Sequence, residues 1–490
     1  MGLNALDVGV IGVYLAAVTA FGLRFRDRRR TVKSYFLADK AAPWWAISLS
    51  IVAAETSTLT IISIPGLAYD QDFRFLQLVF GYLIGRVIVS FLLIPHYFRG
   101  ELVTAYQLIE RRFGQRLRAL TGAVFLLTRA AAEGVRVFAV AIVVRVALGA
   151  LLSGMSSFER DVSAIAIVTF LTLVYTFEGG MAAVIWTDVV QLAVYIAGTL
   201  VCLFTIVHFV PGGWPVALSA ANHAGKFRVF DFSGGLGTTY TFWSGVIGGT
   251  FLTIASHGTD QLIVQRLLAA RSEGQSKAAL LFSGGAVLAQ FALFLLVGAM
   301  LYVFGRVDPQ IMTFSRSDSI FPAFVVTRMP HGVSGLLIGA ILAAAMSNLS
   351  AALNALSSTT IVDFYQHRRP QSSEERKVAL SRMATVVWAL VLFGLALLAR
   401  GGGRVLEMGL SIASVAYGAL LGVFLLGVLT KRANETGAMV GMLLGLGFTL
   451  CLWRFSHVAF TWYVVFGSTV TFVLGLLVSY FAAPATKLSA

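Results

Sequence analysis

Ala53-Ala54-Glu55-Thr56-Ser57-Thr58-Leu59-Thr60, with Ser63, Pro65 and Gly66 close behind, interrupts an otherwise apolar run over residues 41–68. An apolar run of that length is enough to cross a bilayer, which takes roughly 20 residues. Inside it, Glu55 to Thr60 bring one carboxylate and four hydroxyls. A single serine or threonine can satisfy itself on the carbonyl one turn back, so a polar packing seam is the competing reading. A carboxylate at membrane depth is expensive and marks a functional site by default. A helix that unwinds here exposes carbonyls and helix ends able to hold a cation.

Working outward, twelve further apolar stretches appear, giving thirteen candidate spans at 5–23, 41–68, 75–97, 118–150, 162–178, 184–210, 240–262, 277–305, 332–362, 379–399, 404–429, 436–454 and 460–482. Only 12% of the 490 residues are charged, about half the share of a soluble protein. The first span has its arginines after it and no small-residue cleavage site, so it is not expected to be a signal peptide. The net charge of +14 comes from clusters between the spans, not from one basic face. If the 24–40 loop is cytoplasmic, 23 of the 37 Lys and Arg lie on that side against ten on the other. The bias places the N-terminus outside and the C-terminus inside, in a multi-pass protein of the cell (plasma or inner) membrane. The basic residues then meet anionic lipid, and no nucleic-acid partner is expected. Cys202 and Cys451 lie within apolar runs and make no disulfide framework. The glycine runs Gly418 to Gly427 and Gly441 to Gly447 mark expected close helix contacts.

An enzyme is not expected, since no metalloprotease, nucleophile-elbow or phosphate-loop pattern is present. The polar groups at membrane depth are the candidates. In the ninth span, Ser347, Ser350 and Asn354 share a helical face, and hydroxyl and amide oxygens suit a hard cation such as Na+; small-residue packing is the alternative. Asp188 follows Trp186-Thr187 near a span end, where a solvated cap is the plain reading. Arg129 and Glu133 stand four apart as an internal ion pair, which leaves Arg136 over for an anionic ligand.

Five stretches carry a family resemblance: PHYFRGELVTAYQLIERRFG (95–114), EGGMAAVIWTDVVQ (178–191), GTDQLIVQR (258–266), MSNLSAALNALSSTTIVDFY (346–365) and SIASVAYGALLGVFLLGVLTKRAN (411–434). In these the chain resembles the sodium:solute symporter family. The resemblance implies an all-α polytopic membrane protein of the LeuT type. Residues 1–40 would hold an extra helix and a cytoplasmic basic loop, 41–210 the first five-helix repeat, and 211–239 an extracellular loop. The second repeat would cover 240–430, and two C-terminal helices 431–490.

The resemblance also implies a Na+ site at Ala53, Thr56, Ala344, Ser347 and Asn348, the last standing where the family usually has Ser or Thr. A second Na+ would use Asp188 with Ser347 and Ser350, although Ala351 replaces a hydroxyl of the full version. The solute residues would be Glu55, Ser57, Thr60, Arg136, Ser256 and His257. Sugar carriers of the family have aromatics and a glutamine where this chain has Ser256-His257 and Leu410, whereas sialate-type members hold a carboxylate with an arginine near Arg136. The expected function is therefore Na+-coupled symport of a small organic solute, a carboxylate or related anion, by alternating access. Proton coupling through Glu55, a sugar, polyol or amino-acid solute, and a transporter-like sensor are the alternatives. The sequence ends about eight residues past the last span, which favours a carrier over a sensor. The expected partners are the solute, Na+ and the bilayer, with no obligatory protein partner.

Overall fold

A computed structural model of the chain describes residues 3–24, 42–99, 102, 105–149, 152, 154–175, 181–309, 316–365, 369 and 371–481. Most of the basic loop at 24–40, the tail past 481 and parts of the motifs at 95–114 and 178–191 lie outside the described residues. Among the described residues there is no strand. In lipid a backbone must satisfy its own hydrogen bonds, and a helix does so within one segment.

The first helices are α1 (Ala5–Arg24), α2 (Trp44–Glu55), α3 (Thr58–Asp70), α4 (Leu76–Phe98), α5 (Ala105–Phe113), α6 (Gln115–Ala147), α7 (Ser157–Tyr175), α8 (Met181–His208) and α9 (Gly213–His223). After a π turn at Ser244–Gly248 come α10 (Gly249–Gly258), α11 (Gln261–Leu268), α12 (Glu273–Val307), α13 (Ile320–Arg328) and α14 (Val333–Ser358). The chain continues with α15 (Glu374–Ala399), α16 (Val405–Leu429), α17 (Glu435–Phe455) and α18 (Tyr463–Phe481). Several starts are set by side-chain caps: Ser272, Ser373 and Asn434 accept the amides of Gln275, Arg376 and Gly437.

Each of the thirteen expected stretches contains helix, but eight helices among the described residues are long and apolar enough to cross a bilayer, or nine with the bent pair α2–α3. The remaining helices miss for local reasons. Helix α6 carries Arg116, Arg118, Arg129, Glu133, Arg136 and Arg145 along its 33 residues, and α7 opens on Glu159-Arg160-Asp161. The stretch 240–262, expected as one span, ends at Gly258 and restarts at Gln261.

Helix α2 packs on α8 and α12, α3 on α12 and α14, and α10 on α4 and α16, while α6 lies against α14, α15 and α16. Helices α16, α17 and α18 pack on one another, and the glycine runs explain why. A Cβ at Gly441 would stand 2.5 Å from the Thr471 carbonyl, and one at Gly418 would stand 2.9 Å from Gly467 Cα. Gly447, expected as part of the same contact, faces open space. Large apolar side chains such as Leu127, Leu398 and Phe481 are mostly exposed, as the lipid-facing surface of a bilayer protein requires.

Candidate functional site

The first break separates α2 from α3 with a bend of 63°. The Thr56 amide and Oγ1 both turn back to the Val52 carbonyl, at 2.9 and 2.7 Å. The next amide, Ser57, should in a continuous helix reach Ala53; it turns instead to the Glu55 carbonyl at 2.9 Å. The Ala53 carbonyl thereby loses its helical donor, and α3 begins with Ser57 in an extended conformation. One break thus offers a carbonyl on the end of one half-helix and the positive N-terminal turn of the other. Gln290 of α12 braces it, donating to Thr56 Oγ1 at 2.5 Å.

Helix α14 packs against α3. Ala344, Ser347 and Ser350 are buried on it, and Asn348 is half-buried and faces the same cavity as Ser57. The donor set at this junction is oxygen only, which fits a hard monovalent cation.

The second break falls at Thr259-Asp260. Asp260 caps α11 by accepting the Leu262 amide at 2.9 Å through Oδ1, while its Oδ2 accepts the Tyr417 hydroxyl at 2.7 Å and Arg129 Nη1 at 3.4 Å. On α6, Glu133 Oε1 accepts Arg129 Nη2 at 2.7 Å and Arg136 Nη1 at 2.5 Å. Arg136 is therefore not left over from the Arg129–Glu133 pair, because one oxygen receives both guanidinium groups. The two arginines still differ. Both line the cavity, but Arg129 is 8% exposed and held between Glu133 and Asp260, whereas Arg136 is 27% exposed with donors to spare.

Glu55 is partnered by Arg86, which donates to its Oε2 and is otherwise held by Ser283 Oγ at 3.1 Å and the Tyr82 carbonyl at 3.3 Å. His257 Nε2 stands 3.1 Å from Glu55 Oε1, and its Nδ1 is 2.9 Å from Ser256 Oγ. Asp188 is buried, not a solvated cap. Its Oδ2 accepts the Ser50 hydroxyl at 2.6 Å and Arg266 Nη2 at 3.0 Å, and Ser50 in turn accepts Arg266 Nε at 2.9 Å. Among the described residues Asp188 makes no hydrogen bond to Ser347 or Ser350, its expected co-ligands. It clamps α2, α8 and α11 together.

One cavity of about 180 Å3 lies between the two breaks. Glu55, Ser57, Thr60, Arg136, Ser256 and His257 all line it, with apolar walls from Phe75, Phe125, Leu252, Phe291 and Leu410. Asp188 and Ser350 do not. The sequence reading missed Arg86, Asp260 and Tyr417. Arg86 did leave a trace, as the one charge in an apolar span that must find a partner. The ion pairs around the cavity comprise four carboxylates (Glu55, Glu133, Asp188, Asp260) and four guanidinium groups (Arg86, Arg129, Arg136, Arg266), so with the His257 imidazole neutral their charges balance.

The geometry agrees with what similar proteins are. Over 99% of its length this chain is 28% identical to the sodium/sialic acid symporter SiaT of Proteus mirabilis, covering 97% of that protein. It is 29% identical to the human sodium/iodide cotransporter across 92% of this chain and 69% of the relative. A solved substrate-bound, outward-open Na+-coupled sialic acid symporter superposes with a TM-score of 0.84 at 28% identity, covering 99% of this chain and all of the other. The nucleobase–cation symporter Mhp1 shares the fold at 14% identity and a TM-score of 0.57 over 91% of this chain and 93% of its own. The sodium:solute symporter family model matches residues 35–445, and the chain belongs to that family: it is a Na+-coupled symporter, not an enzyme.

Proposed function

We propose that the solute carried with Na+ is a small carboxylate or related anion, bound between the two breaks with Arg136 as its principal partner. The observation that carries this reading is the charge balance of the cavity. With four carboxylates already matched by four guanidinium groups, a Na+ entering alone leaves one uncompensated positive charge between largely apolar walls. A monoanion entering with it restores neutrality, and opposite charges attract far more strongly there than in water. Arg136, partly exposed to the cavity, can offer its planar fork to a carboxylate, a bidentate contact that lysine does not reproduce.

The Na+ is assigned to the oxygens of Ala53, Thr56, Ala344, Ser347 and Asn348, a reading supported by the freed carbonyl at the first break and the buried hydroxyl of Ser347 on α14. A second ion at Asp188, Ser347 and Ser350 requires the Asp188–Arg266 pair to open, so the first site is the primary one. Ser57 and Thr60, at the start of α3, hold other polar groups of the solute. The repeats at 41–210 and 240–430 are supported by each opening on an interrupted helix, and the N-out, C-in orientation by the excess of Lys and Arg. Alternating access then turns the two half-helices around a site near mid-membrane. The relatives of this chain are sodium-coupled, which supports Na+ over a proton carried by Glu55.

The test is Na+-driven uptake into proteoliposomes with carboxylates, sialic acid among them, and neutral sugars as competitors. Arg136→Lys should lose at least about tenfold in solute affinity, the equivalent of 1.4 kcal/mol, while still binding Na+. Uptake of a neutral sugar or polyol that carboxylates fail to inhibit would refute the anion reading.

A further inference from the structure

We propose that Glu55 is a second reader of the solute, one that accepts a hydrogen bond from it, so that the acids carried bear a hydroxyl group besides the carboxylate. This rests on the acid reading above and names what else the acid must contain.

Glu55 sits at the first break with its side chain 18% exposed, and it lines the cavity. Its partner Arg86 is 1% exposed and does not line the cavity, so the guanidinium belongs to the wall and holds the carboxylate from behind. That contact uses Oε2. Oε1 faces His257 Nε2 at 3.1 Å, and a carboxylate has about four lone-pair positions between its two oxygens. Acceptor capacity therefore remains on the cavity side. The other carboxylate lining the cavity has less to give, because Asp260 caps α11 through Oδ1 and takes Tyr417 and Arg129 on Oδ2.

A solute that is apolar beyond its carboxylate would exclude water from Glu55 and leave those lone pairs unmatched, and a site built around a polar partner rejects ligands that lack one. Besides the hydroxyls of Ser57 and Thr60, the cavity thus presents Arg136 for the acid and Glu55 with His257 and Ser256 for a donor, set between apolar walls. Halides and unsubstituted short-chain acids satisfy only Arg136.

Matched acids decide the matter on the purified protein in Na+. Binding of propionate is compared with that of 2-hydroxypropionate, and hexanoate with gluconate, by thermal shift and calorimetry. The hydroxy acid of each pair should bind at least about tenfold more tightly than its plain counterpart. Glu55→Gln, which keeps one acceptor oxygen and loses the charge, should cut that preference. Equal binding of plain and donor-bearing acids by the parent protein overturns the proposal while leaving the acid reading intact. An unchanged preference in Glu55→Gln overturns Glu55 as its origin. If that variant does not fold, the parent's acid pairs decide alone. Should no acid bind at all, the acid reading and this proposal fall together.

Discussion

Ser347 occupies one turn of α14 with Ala344 and Asn348, buried on a helix that packs against α3. If its hydroxyl ligates Na+, Ser347→Ala removes one ligand at little cost in volume. The apparent Na+ requirement for solute binding should rise by about tenfold or more, each tenfold corresponding to 1.4 kcal/mol. Titration of solute binding against Na+ checks this, and an unchanged requirement would remove Ser347 from the site. The hydroxyl-rich run at Glu55 to Thr60 is visible because polar residues inside an apolar span stand out. Its ion partner is not, because Arg86 lies 31 residues away on another helix and pairing across spans leaves no periodic trace. Arg136 was read as free because i,i+4 geometry gives Glu133 to Arg129, yet a single carboxylate oxygen accepts both arginines.

Breaks and clamps decide how the helices behave as units. The first break was foreseen from its polar run, whereas the second was not, because 240–262 reads as continuous apolar sequence and only the fold reveals Asp260 as the cap that restarts the helix. The Ser50–Asp188–Arg266 clamp ties α2, α8 and α11, and removing one partner of a buried ion pair costs about 3–5 kcal/mol. Asp188→Asn should therefore lower the melting temperature in Na+-free buffer. If the clamp is the whole role, the extra stabilisation on adding Na+ stays the same, and a loss of it would instead establish Asp188 as an ion ligand. On the loop between α9 and α10, hydrogen bonds from Ser233 and the Arg74 guanidinium pull the Asp231 carboxyl down to about 2. An unfolded aspartate titrates near 3.9, so this loop contact contributes fully above about pH 4 and is lost as the pH falls towards 2. The hydrogen-exchange protection of residues 226–243, relative to the intrinsic rate at each pH, should fall over that interval, and Asp231→Asn should abolish that change.

Across the whole molecule, the all-helical membrane architecture was legible from composition and span length, since too few charges and too many long apolar runs leave no soluble alternative. The count of spans was less so, because α6 keeps six charges along its length and α10 stops at a break that hydropathy alone does not show. Function at this scale is a coupling free energy. A cavity whose fixed charges balance should bind Na+ and an anion better together than either alone, and by thermodynamic linkage each must tighten the other by the same factor. Calorimetric titration of Na+ into the purified protein, with and without each acid of a carboxylate panel and each of a set of neutral sugars, measures that factor directly. At least one carboxylate should tighten Na+ about tenfold or more, with Na+ tightening that acid equally, and neutral sugars should leave Na+ affinity where it was. Na+ affinity indifferent to every carboxylate, or tightened by neutral sugars alone, would contradict the coupled transport of an anion.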